Sequence, residues 1–444
     1  MQHKNFEKSL ELKKKIHQLI PGGCHTYAKG DDQFPEFHPP YLTRGEGCRV
    51  WDLDGNEYIE YGMGLRAVAL GHGYPAVITA ACQQMWKGIN FARPATIEFE
   101  AAEAFLKVVP GADMVKFAKN GSDVTTAALK LARAYTGRDM VALCADHPFF
   151  SVDDWFIGTT AVNAGIPQSV RDLTVTFQYN NLESVKSLFN QYPGQLACLI
   201  MEIEKNDPFD PQFLQGVQQL CKENGTVFIL DEMITGFRWH IGGAQTLYNI
   251  VPDLSTFGKA MGNGFAISAL AGKREIMELG GLYHDKERVF LLSTTHGAEN
   301  HALAAFIAVV KEYQEKDVIG HMQVQGERLR QGLNQSIAHH GLQNFVGIHG
   351  FPVCLVFSTR DALGRPSQPF RTLLLQELIK GGVIAPNLVL SYAHKEKDID
   401  QTVEIFHEAL GIYQKAITEG VEKYLEGESV QPVYRRWNQL EKNY

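Results

Sequence analysis

The sequence predicts an α/β fold with a large domain built on a mainly parallel sheet and a smaller α+β lobe. From about residue 72, helical patterns alternate with short apolar runs, and several of these runs end abruptly in polar residues. After about residue 325 this alternation gives way to a mixed pattern of helices and short strands. We therefore divide the chain into residues 1–70 (an N-terminal helix and hairpin belonging to the small lobe), 71–325 (the large domain) and 326–444 (the C-terminal lobe with its tail).

Composition and charge indicate a soluble enzyme. The 444 residues carry a net charge of -8 without long runs of like charge, which argues against nucleic acid or an anionic membrane as partner. The N-terminus is polar, and no apolar run reaches membrane-spanning length. Seven scattered cysteines without a CxxC pair indicate neither disulfides nor a zinc site, so we expect a cytoplasmic protein without a metal.

The N-terminal segment shows a helix followed by a hairpin. Apolar spacing predicts a helix over residues 6–20, which the sequence Pro21-Gly22-Gly23 ends. Two alternating runs around Asp54-Gly55-Asn56 predict a β-hairpin over residues 47–61. In the C-terminal lobe we expect strands within 343–358 and helices near 369–380 and 397–422, after a long helix over about 300–334.

Four apolar runs in the large domain have the character of strands buried on both faces. They cover residues 114–118, 140–145, 196–201 and 227–230, and they precede Asn120-Gly121-Ser122, Asp146-His147, Glu202 and Asp231, respectively. Ligands of open α/β sheets bind at the carboxyl ends of the strands. The polar residues are therefore expected to gather along one edge of the sheet.

Asp231 and Lys259 together suggest a cofactor. A carboxylate at a buried strand end is costly unless a positive or protonated group meets it, and a pyridinium nitrogen would serve. A lysine in a partly desolvated pocket has a lowered pKa, which allows its amine to form a Schiff base with an aldehyde. Taken singly, the aspartate could be a helix cap and the lysine a solvated side chain.

The neighbouring motifs supply further candidates. Gly121 and Ser122 open a helix, where backbone N–H groups and a hydroxyl suit a phosphate monoester, although Ser122 or Asp123 could simply be a helix cap. Phe149 could stack on a planar ring, or be a core residue. Glu202 could contact a substrate or the cofactor, or form a loop salt bridge. A Thr-rich loop at residues 293–297 could reach a phosphate, or be an ordinary turn.

The order of these motifs resembles a known family. The hairpin WDLDGNEYIEY, then GHGYP, NGSD, DEMITGFR and PDLSTFGKAMGNG, is similar to the class III (ω) aminotransferases of pyridoxal-phosphate fold type I, the aspartate-aminotransferase-like fold. Within that class the chain looks most similar to the glutamate-1-semialdehyde aminomutase group. The resemblance extends from about Pro21 to about residue 410.

The resemblance implies a role for each matched residue, with pyridoxal 5'-phosphate as the cofactor. Lys259 would bind the cofactor and move the proton, and Asp231 would keep the pyridine nitrogen protonated. Gly121 and Ser122 match the phosphate-binding turn, and Thr295 matches a threonine that reaches the phosphate from the neighbouring subunit of a homodimer. The remaining matches are Met233 beneath the ring, Phe149 as the stacking aromatic and Glu202 near the cofactor.

Departures from the family pattern shape the expected substrate. Lys29 stands where aminomutases carry an arginine that clamps a carboxylate, and lysine cannot make the same bidentate contact. A second arginine of many transaminases is absent, and Asn387, Ser391, Tyr392 and His394 suggest a polar lining instead.

We therefore expect an amino group to pass from L-glutamate to the aldehyde or ketone of a sugar or sugar acid. An octulosonate oxidised at its terminal carbon is the specific candidate, which would link the enzyme to lipopolysaccharide synthesis. The alternatives are an aminomutase acting within one semialdehyde and a non-catalytic protein that binds the cofactor. Retention of both Asp231 and Lys259 argues against the latter, because binding alone could dispense with a proton shuttle.

Overall fold

The computed structural model describes residues 4–146, 149–203 and 210–436. Its helices are α1 (Glu7–Leu19), α2 (Met63–Arg66), α3 (Pro75–Lys87), α4 (Thr96–Val108), α5 (Gly121–Thr136), α6 (Asp154–Ile157), α7 (Gln168–Arg171), α8 (Leu182–Gln191), α9 (Pro211–Glu223), α10 (Ala244–Leu247), α11 (Arg274–Met277), α12 (Asn300–Glu315), α13 (Val318–His339), α14 (Gln368–Gly381) and α15 (Glu396–Glu419). Its strands are β1 (Leu42–Glu46), β2 (Arg49–Asp52), β3 (Glu57–Glu60), β4 (Met114–Ala118), β5 (Met140–Cys144), β6 (Thr174–Phe177), β7 (Leu196–Glu202), β8 (Val227–Asp231), β9 (Leu254–Phe257), β10 (Ser268–Gly272), β11 (Val346–Phe351), β12 (Cys354–Thr359), β13 (Val383–Ile384) and β14 (Leu388–Val389).

The larger of two compact units covers the described residues of 75–319 together with 434–436. Its seven-stranded sheet has the order β4-β10-β9-β8-β7-β5-β6. The pairs β5–β6, β5–β7, β7–β8 and β8–β9 are parallel, whereas β10 is antiparallel to both β4 and β9. Six strands therefore run in one direction, which confirms the mainly parallel sheet.

The central strands are apolar because helices cover the sheet. Every residue of β7, β8 and β9 is buried. Helix α5 turns one apolar face toward them, so that Val124 and Leu131 join a core cluster with Ile200 and Ile229. This packing fixes the carboxyl ends of the strands as a rigid edge.

The smaller unit covers residues 4–74 and 320–433. It contains a four-stranded sheet, β1-β2-β3-β13, and a three-stranded sheet, β11-β12-β14. The predicted hairpin is present, with Val50 opposite Tyr58. Asp52 stabilises its turn by accepting hydrogen bonds from the backbone N–H groups of Asp54 and Asn56.

The structure differs from the sequence prediction at the long helix expected over 300–334. Lys316 adopts an extended conformation (φ -133°, ψ 145°), so the segment forms two helices, α12 and α13. Residues on both sides of the break continue the helical apolar pattern, and for this reason periodicity alone did not reveal it.

Neither a membrane-spanning helix nor a disulfide is present in the described part of the chain. None of its helices combines the length and apolar character needed to cross a bilayer. All seven cysteines lie within the described ranges, and they form no disulfide.

Candidate active site

Asp231 lies at the carboxyl end of β8, between the ends of two neighbouring strands. The strand register places it beside Glu202 of β7 and Thr256 of β9. Only 2% of Asp231 is exposed. Its Oδ1 accepts hydrogen bonds from the backbone N–H of Met233 (2.9 Å) and from the Thr256 hydroxyl (3.1 Å). Neither bond uses Oδ2, so this oxygen can meet a further donor.

Burial raises the pKa of Asp231 to about 6, and the positive charge of Lys259 is the main influence that opposes this rise. The two residues predicted to act together therefore interact electrostatically in the folded chain. The ionised carboxylate is therefore the main form at neutral pH, and it can accept from a positively charged donor.

Lys259 follows β9 and is partly buried in a short 3-10 turn, Lys259–Gly262. Its φ is +46°, in the left-handed region that a lysine rarely adopts. Such a conformation costs on the order of 1–3 kcal/mol and persists where the surrounding structure enforces it, commonly at functional sites. The surrounding structure therefore holds the backbone of Lys259 in one defined conformation.

Met233 packs between two glycines that flank the predicted site. A methyl group added at Gly258 would lie 2.7 Å from the Met233 Sδ, and one added at Gly121 would lie 3.2 Å from it. Glycine at these positions thus permits the close approach. This contact brings together the start of α5, the turn after β8 and the residue before Lys259.

The start of α5 leaves Ser122 available as a phosphate ligand. Asn120 is the helix cap: its side chain accepts from the Asp123 N–H (3.2 Å), while the Asp123 carboxylate accepts from the Asn120 N–H (3.2 Å). Ser122 is therefore not the cap. Its Oγ accepts from the Val152 N–H at 3.0 Å, which leaves the hydroxyl proton to donate to a ligand. A helix N-terminus with such a donor suits an anion.

Phe149 is 44% exposed and packs edge to face against Phe156, with ring centroids 5.7 Å apart. The next residue, Phe150, is instead a core residue with 2% exposed. His147 and Pro148 lie outside the described residues. An exposed ring following β5 can stack on a planar ligand, whereas Phe150 cannot.

Thr295, the predicted phosphate ligand from a neighbouring subunit, belongs to a loop of the larger unit. Thr295 lies in an exposed loop, where its carbonyl accepts a hydrogen bond from the Asn90 side chain at 2.9 Å. Two residues nearby link this loop to the turn before α5: Glu299 forms an ion pair with Lys119 and also contacts His296 Nδ1 at 3.0 Å.

The comparisons with known proteins agree with this geometry. The family model "Aminotransferase class-III" matches residues 27–410. The chain belongs to the class-III aminotransferases. A curated relative is "Glutamate-1-semialdehyde 2,1-aminomutase 2" of Brevibacillus brevis, which is 31% identical over 91% of this chain and 99% of the relative.

Solved structures with a similar fold include enzymes that bind pyridoxal phosphate. The pyridoxal-phosphate internal aldimine form of the FumI protein of Sphingopyxis sp. MTA144 matches with a TM-score of 0.86 and 26% identity, covering 93% of this chain and 98% of that one. A glutamate-1-semialdehyde-aminomutase from Pseudomonas aeruginosa PAO1 has a TM-score of 0.79 and 18% identity over 92% and 95% of the two chains. These matches confirm fold type I and the resemblance inferred from the motifs.

A class-III aminotransferase is an enzyme that uses pyridoxal 5'-phosphate. The residues at the sheet edge fit this cofactor: a buried carboxylate for the ring nitrogen, a lysine for the aldehyde and a helix start with a hydroxyl for the phosphate. Among the described residues, no cluster of three or more potential ligands could hold a metal ion.

Sequence reasoning missed two residues of this aminotransferase site. Thr256 donates to Asp231, but a threonine inside an apolar strand gives no signal of its own. Glu232 is completely buried beside Asp231, and its neighbours become clear only in three dimensions.

In the smaller unit, two residues expected to form a polar substrate lining have another role. Ser391 and His394 are both completely buried and bond to each other, with Ser391 Oγ 2.9 Å from His394 Nδ1. Burial lowers the pKa of His394 to about 4, so it is a neutral core residue. Asn387 and Tyr392 are partly exposed, and Lys29 is exposed at the end of a 3-10 turn.

Proposed function

We propose that this class-III aminotransferase transfers an amino group from L-glutamate to the aldehyde or ketone of a sugar or sugar acid. The observation that carries amino transfer is the placement of Lys259 beside the buried carboxylate of Asp231 at the carboxyl edge of the sheet. The proposed cytoplasmic location is supported by the absence of disulfides among the seven cysteines.

When bound, pyridoxal phosphate supplies an aldehyde that takes up the amino group and a ring that withdraws electrons. We assign Lys259 as the residue that would bind the aldehyde carbon and move a proton with its amine. Asp231 would keep a proton on the ring nitrogen, because its ionised form is the acceptor that this proton needs. Gly121 and Ser122 would hold the phosphate.

The remaining assignments concern how the ring is held. Met233, fixed between Gly121 and Gly258, would lie beneath the ring. Phe149, whose side chain is exposed, would stack on it. Glu202 would contact the cofactor, and its burial beside Asp231 in the strand register supports this assignment.

The acceptor assignment rests on Lys29. This exposed lysine stands where the similar aminomutases carry a carboxylate-clamping arginine, and it provides a single-point donor rather than a fork. A hydroxylated carbonyl compound, whose hydroxyl groups need only single hydrogen bonds, suits such a group better than a semialdehyde that is held by its carboxylate. Our specific candidate is 8-oxo-3-deoxy-octulosonate, which would yield 8-amino-3,8-dideoxy-octulosonate for lipopolysaccharide. The buried pair Ser391 and His394 adds no support to this choice.

We further propose a homodimer in which Thr295 serves the phosphate of the partner's site. Thr295 is exposed in the single chain, and the Asn90 side chain that contacts its loop lies among exposed apolar residues. Of these, Trp86 is 92% exposed and Phe91 is 51% exposed. Apolar surface of this kind favours association, and a second copy would cover it while bringing Thr295 to a site.

The test is a half-reaction with purified, cofactor-loaded protein. L-glutamate alone should change the visible absorbance of the bound cofactor and release an equivalent amount of 2-oxoglutarate. Lys259→Ala is the matched control, and it should release none. If the wild-type protein shows no change while its cofactor is plainly bound, glutamate is not the donor. Adding the oxidised octulosonate after the half-reaction should restore the original spectrum, and failure to do so would exclude this acceptor.

The second candidate is a glutamate-1-semialdehyde 2,1-aminomutase. The names of the curated relatives, which are about 31% identical, favour it. An aminomutase would convert the semialdehyde without any separate amino donor. Turnover of glutamate-1-semialdehyde by the protein alone would therefore replace our first assignment.

A further inference from the structure

Glu232 is a completely buried carboxylate next to the residue proposed to hold the cofactor ring. Its backbone N–H donates to the Thr256 carbonyl at 2.8 Å, so the pairing with β9 continues one residue beyond β8. Successive side chains along extended backbone point to opposite faces. Glu232 therefore leaves the sheet edge on the face opposite to Asp231, with 0% exposed.

Three donors converge on this carboxylate. Its Oε1 accepts from the Gln245 N–H at 2.7 Å, and its Oε2 accepts from the Ala244 N–H at 2.8 Å and from the Thr235 hydroxyl. Gly243 is shaped around the carboxylate: its φ is +83°, and an added methyl group would lie 2.5 Å from the carboxyl carbon. Glu232 thus ties both ends of the segment 232–245 together.

Burying a carboxylate costs free energy, and the hydrogen bonds of Glu232 show which part of the chain it holds in place. Burial raises the pKa of Glu232 to about 7, and the neighbouring Asp231 charge contributes to the rise. An amide of the same shape would place an NH2 group against one of the two backbone N–H donors. Only a carboxylate accepts from both amides and the hydroxyl, so the identity of this residue is tied to the turn that it holds.

This turn carries the residues that face the cofactor. Its second residue is Met233, whose N–H donates to Asp231 Oδ1 and whose Sδ packs against Gly121 and Gly258. A shift of the turn would move the donor that orients Asp231 and the side chain proposed to support the ring.

We propose that Glu232 is a positioning residue for pyridoxal phosphate, acting through the turn to fix Asp231 and Met233. The inference rests on the cofactor roles proposed above for those two residues. It does not depend on the amino donor or acceptor, because cofactor binding can be measured without either.

The test compares Glu232→Gln with Glu377→Gln in the full-chain holoenzyme. Glu377 is also a buried carboxylate (8% exposed), but it lies in the smaller unit, where it accepts from Gln376 Nε2 (2.9 Å) and Lys380 Nζ (2.8 Å). It therefore controls for general loss of stability. The readouts are thermal unfolding, the cofactor dissociation constant by equilibrium dialysis and the circular dichroism that the site induces in the bound cofactor.

We expect Glu232→Gln to weaken cofactor binding roughly tenfold or more and to change the induced dichroism, because a buried donor loses its acceptor and the turn shifts. Glu377→Gln should leave both cofactor readouts within twofold of wild type. If Glu232→Gln destabilises the protein but binds cofactor with unchanged affinity and dichroism, the residue is merely structural and the proposal is overturned.

A milder variant covers the case in which Glu232→Gln does not fold. Thr235→Val removes one of the three donors and retains the carboxylate with both backbone bonds. It should weaken cofactor binding in the same direction, by about threefold to tenfold. Wild-type affinity and dichroism in Thr235→Val, when Glu232→Gln yields no folded protein, would also overturn the proposal.

Discussion

The hydroxyl of Thr256 donates to Oδ1 of Asp231 across the neighbouring strands β9 and β8, at 3.1 Å. This bond stabilises the ionised form of Asp231. Thr256→Val should raise the pKa of Asp231 further and weaken cofactor binding by about tenfold, since a bond to a buried charged group contributes about 1.5–3 kcal/mol. Titration of the apoprotein with pyridoxal phosphate measures the change. Thr256→Ser retains the hydroxyl and should bind nearly as wild type, and equal effects of the two substitutions would contradict this account.

Cofactor affinity should fall below about pH 6. With a pKa raised to about 6, Asp231 is protonated in the apoprotein below that pH, and it must release this proton to meet a protonated ring nitrogen. The affinity should therefore drop by up to about tenfold for each pH unit below 6. Equilibrium dialysis from pH 5 to pH 8 tests this. The control is Asp231→Asn, which should bind the cofactor more weakly and with an affinity that changes little over that range.

The stability of the apoprotein should fall as the pH rises, whereas cofactor affinity should rise. Asp231 and Glu232 both have folded pKa values above their ordinary ones, about 6 and about 7, so burial favours their protonated forms. Their contribution to stability is fully present below the ordinary pKa values of 3.8 and 4.5 and is lost as the pH rises through the folded values of about 6 and about 7. Denaturant titrations of the apoprotein at pH 5 and pH 7.5 should show this loss, and the double variant Asp231→Asn with Glu232→Gln should show a smaller one.

The contact between Gly258 and Met233 predicts an order among glycine substitutions. Gly258→Ala should cost about 1–3 kcal/mol of stability, because the added methyl group would lie 2.7 Å from the sulfur. Gly121→Ala should cost less, since its separation is 3.2 Å. Thermal unfolding measures both. Met233→Ala in the Gly258→Ala background should relieve part of the loss, and an additive effect would show that the clash lies elsewhere.

Ser122 should distinguish the phosphorylated cofactor from the unphosphorylated one. Ser122→Ala removes the hydroxyl at the start of α5 and also the acceptor of the Val152 N–H. Loss of the acceptor for Val152 affects all ligands alike, whereas loss of the hydroxyl donor affects only a ligand with a phosphate. We expect pyridoxal phosphate to bind roughly tenfold more weakly relative to pyridoxal. An equal loss for both ligands would exclude a phosphate contact.

Subunit mixing tests the role of Thr295. If Thr295 serves the partner's site, a heterodimer of one Lys259→Ala subunit and one Thr295→Ala subunit contains one site with both groups intact. It should bind cofactor at that site with wild-type affinity, whereas the Thr295→Ala homodimer binds more weakly. A heterodimer without any wild-type site would show that Thr295 acts within its own chain.

The sequence predicted the strands that end at Ala118, Glu202 and Asp231 to within a residue, because buried parallel strands carry continuous apolar runs. It also paired Asp231 with Lys259, because a carboxylate at a buried strand end and a lysine in a partly desolvated setting together suggest a cofactor. It did not predict β6, β9 and β10, because these strands have only four or five residues each and include polar ones.

Side-chain partners were harder to predict than strands. Ser391 and His394 satisfy each other inside the smaller unit, and a polar residue that is buried in this way has the same sequence appearance as one that lines a pocket. Thr256 and Glu232 escaped notice for the related reason that their importance depends on what lies across the sheet.

The strand order determines when the site can assemble during protein synthesis. The strand β4 precedes the turn that we propose for the phosphate, and it pairs with β10. The Ser268 hydroxyl of β10 donates to the Asn120 carbonyl of that turn across 148 residues of sequence. During synthesis, the turn leaves the ribosome long before the strand that anchors it. We therefore expect firm cofactor capture only after residue 272 has emerged, because shorter nascent chains would carry this turn without the neighbour that holds it in place.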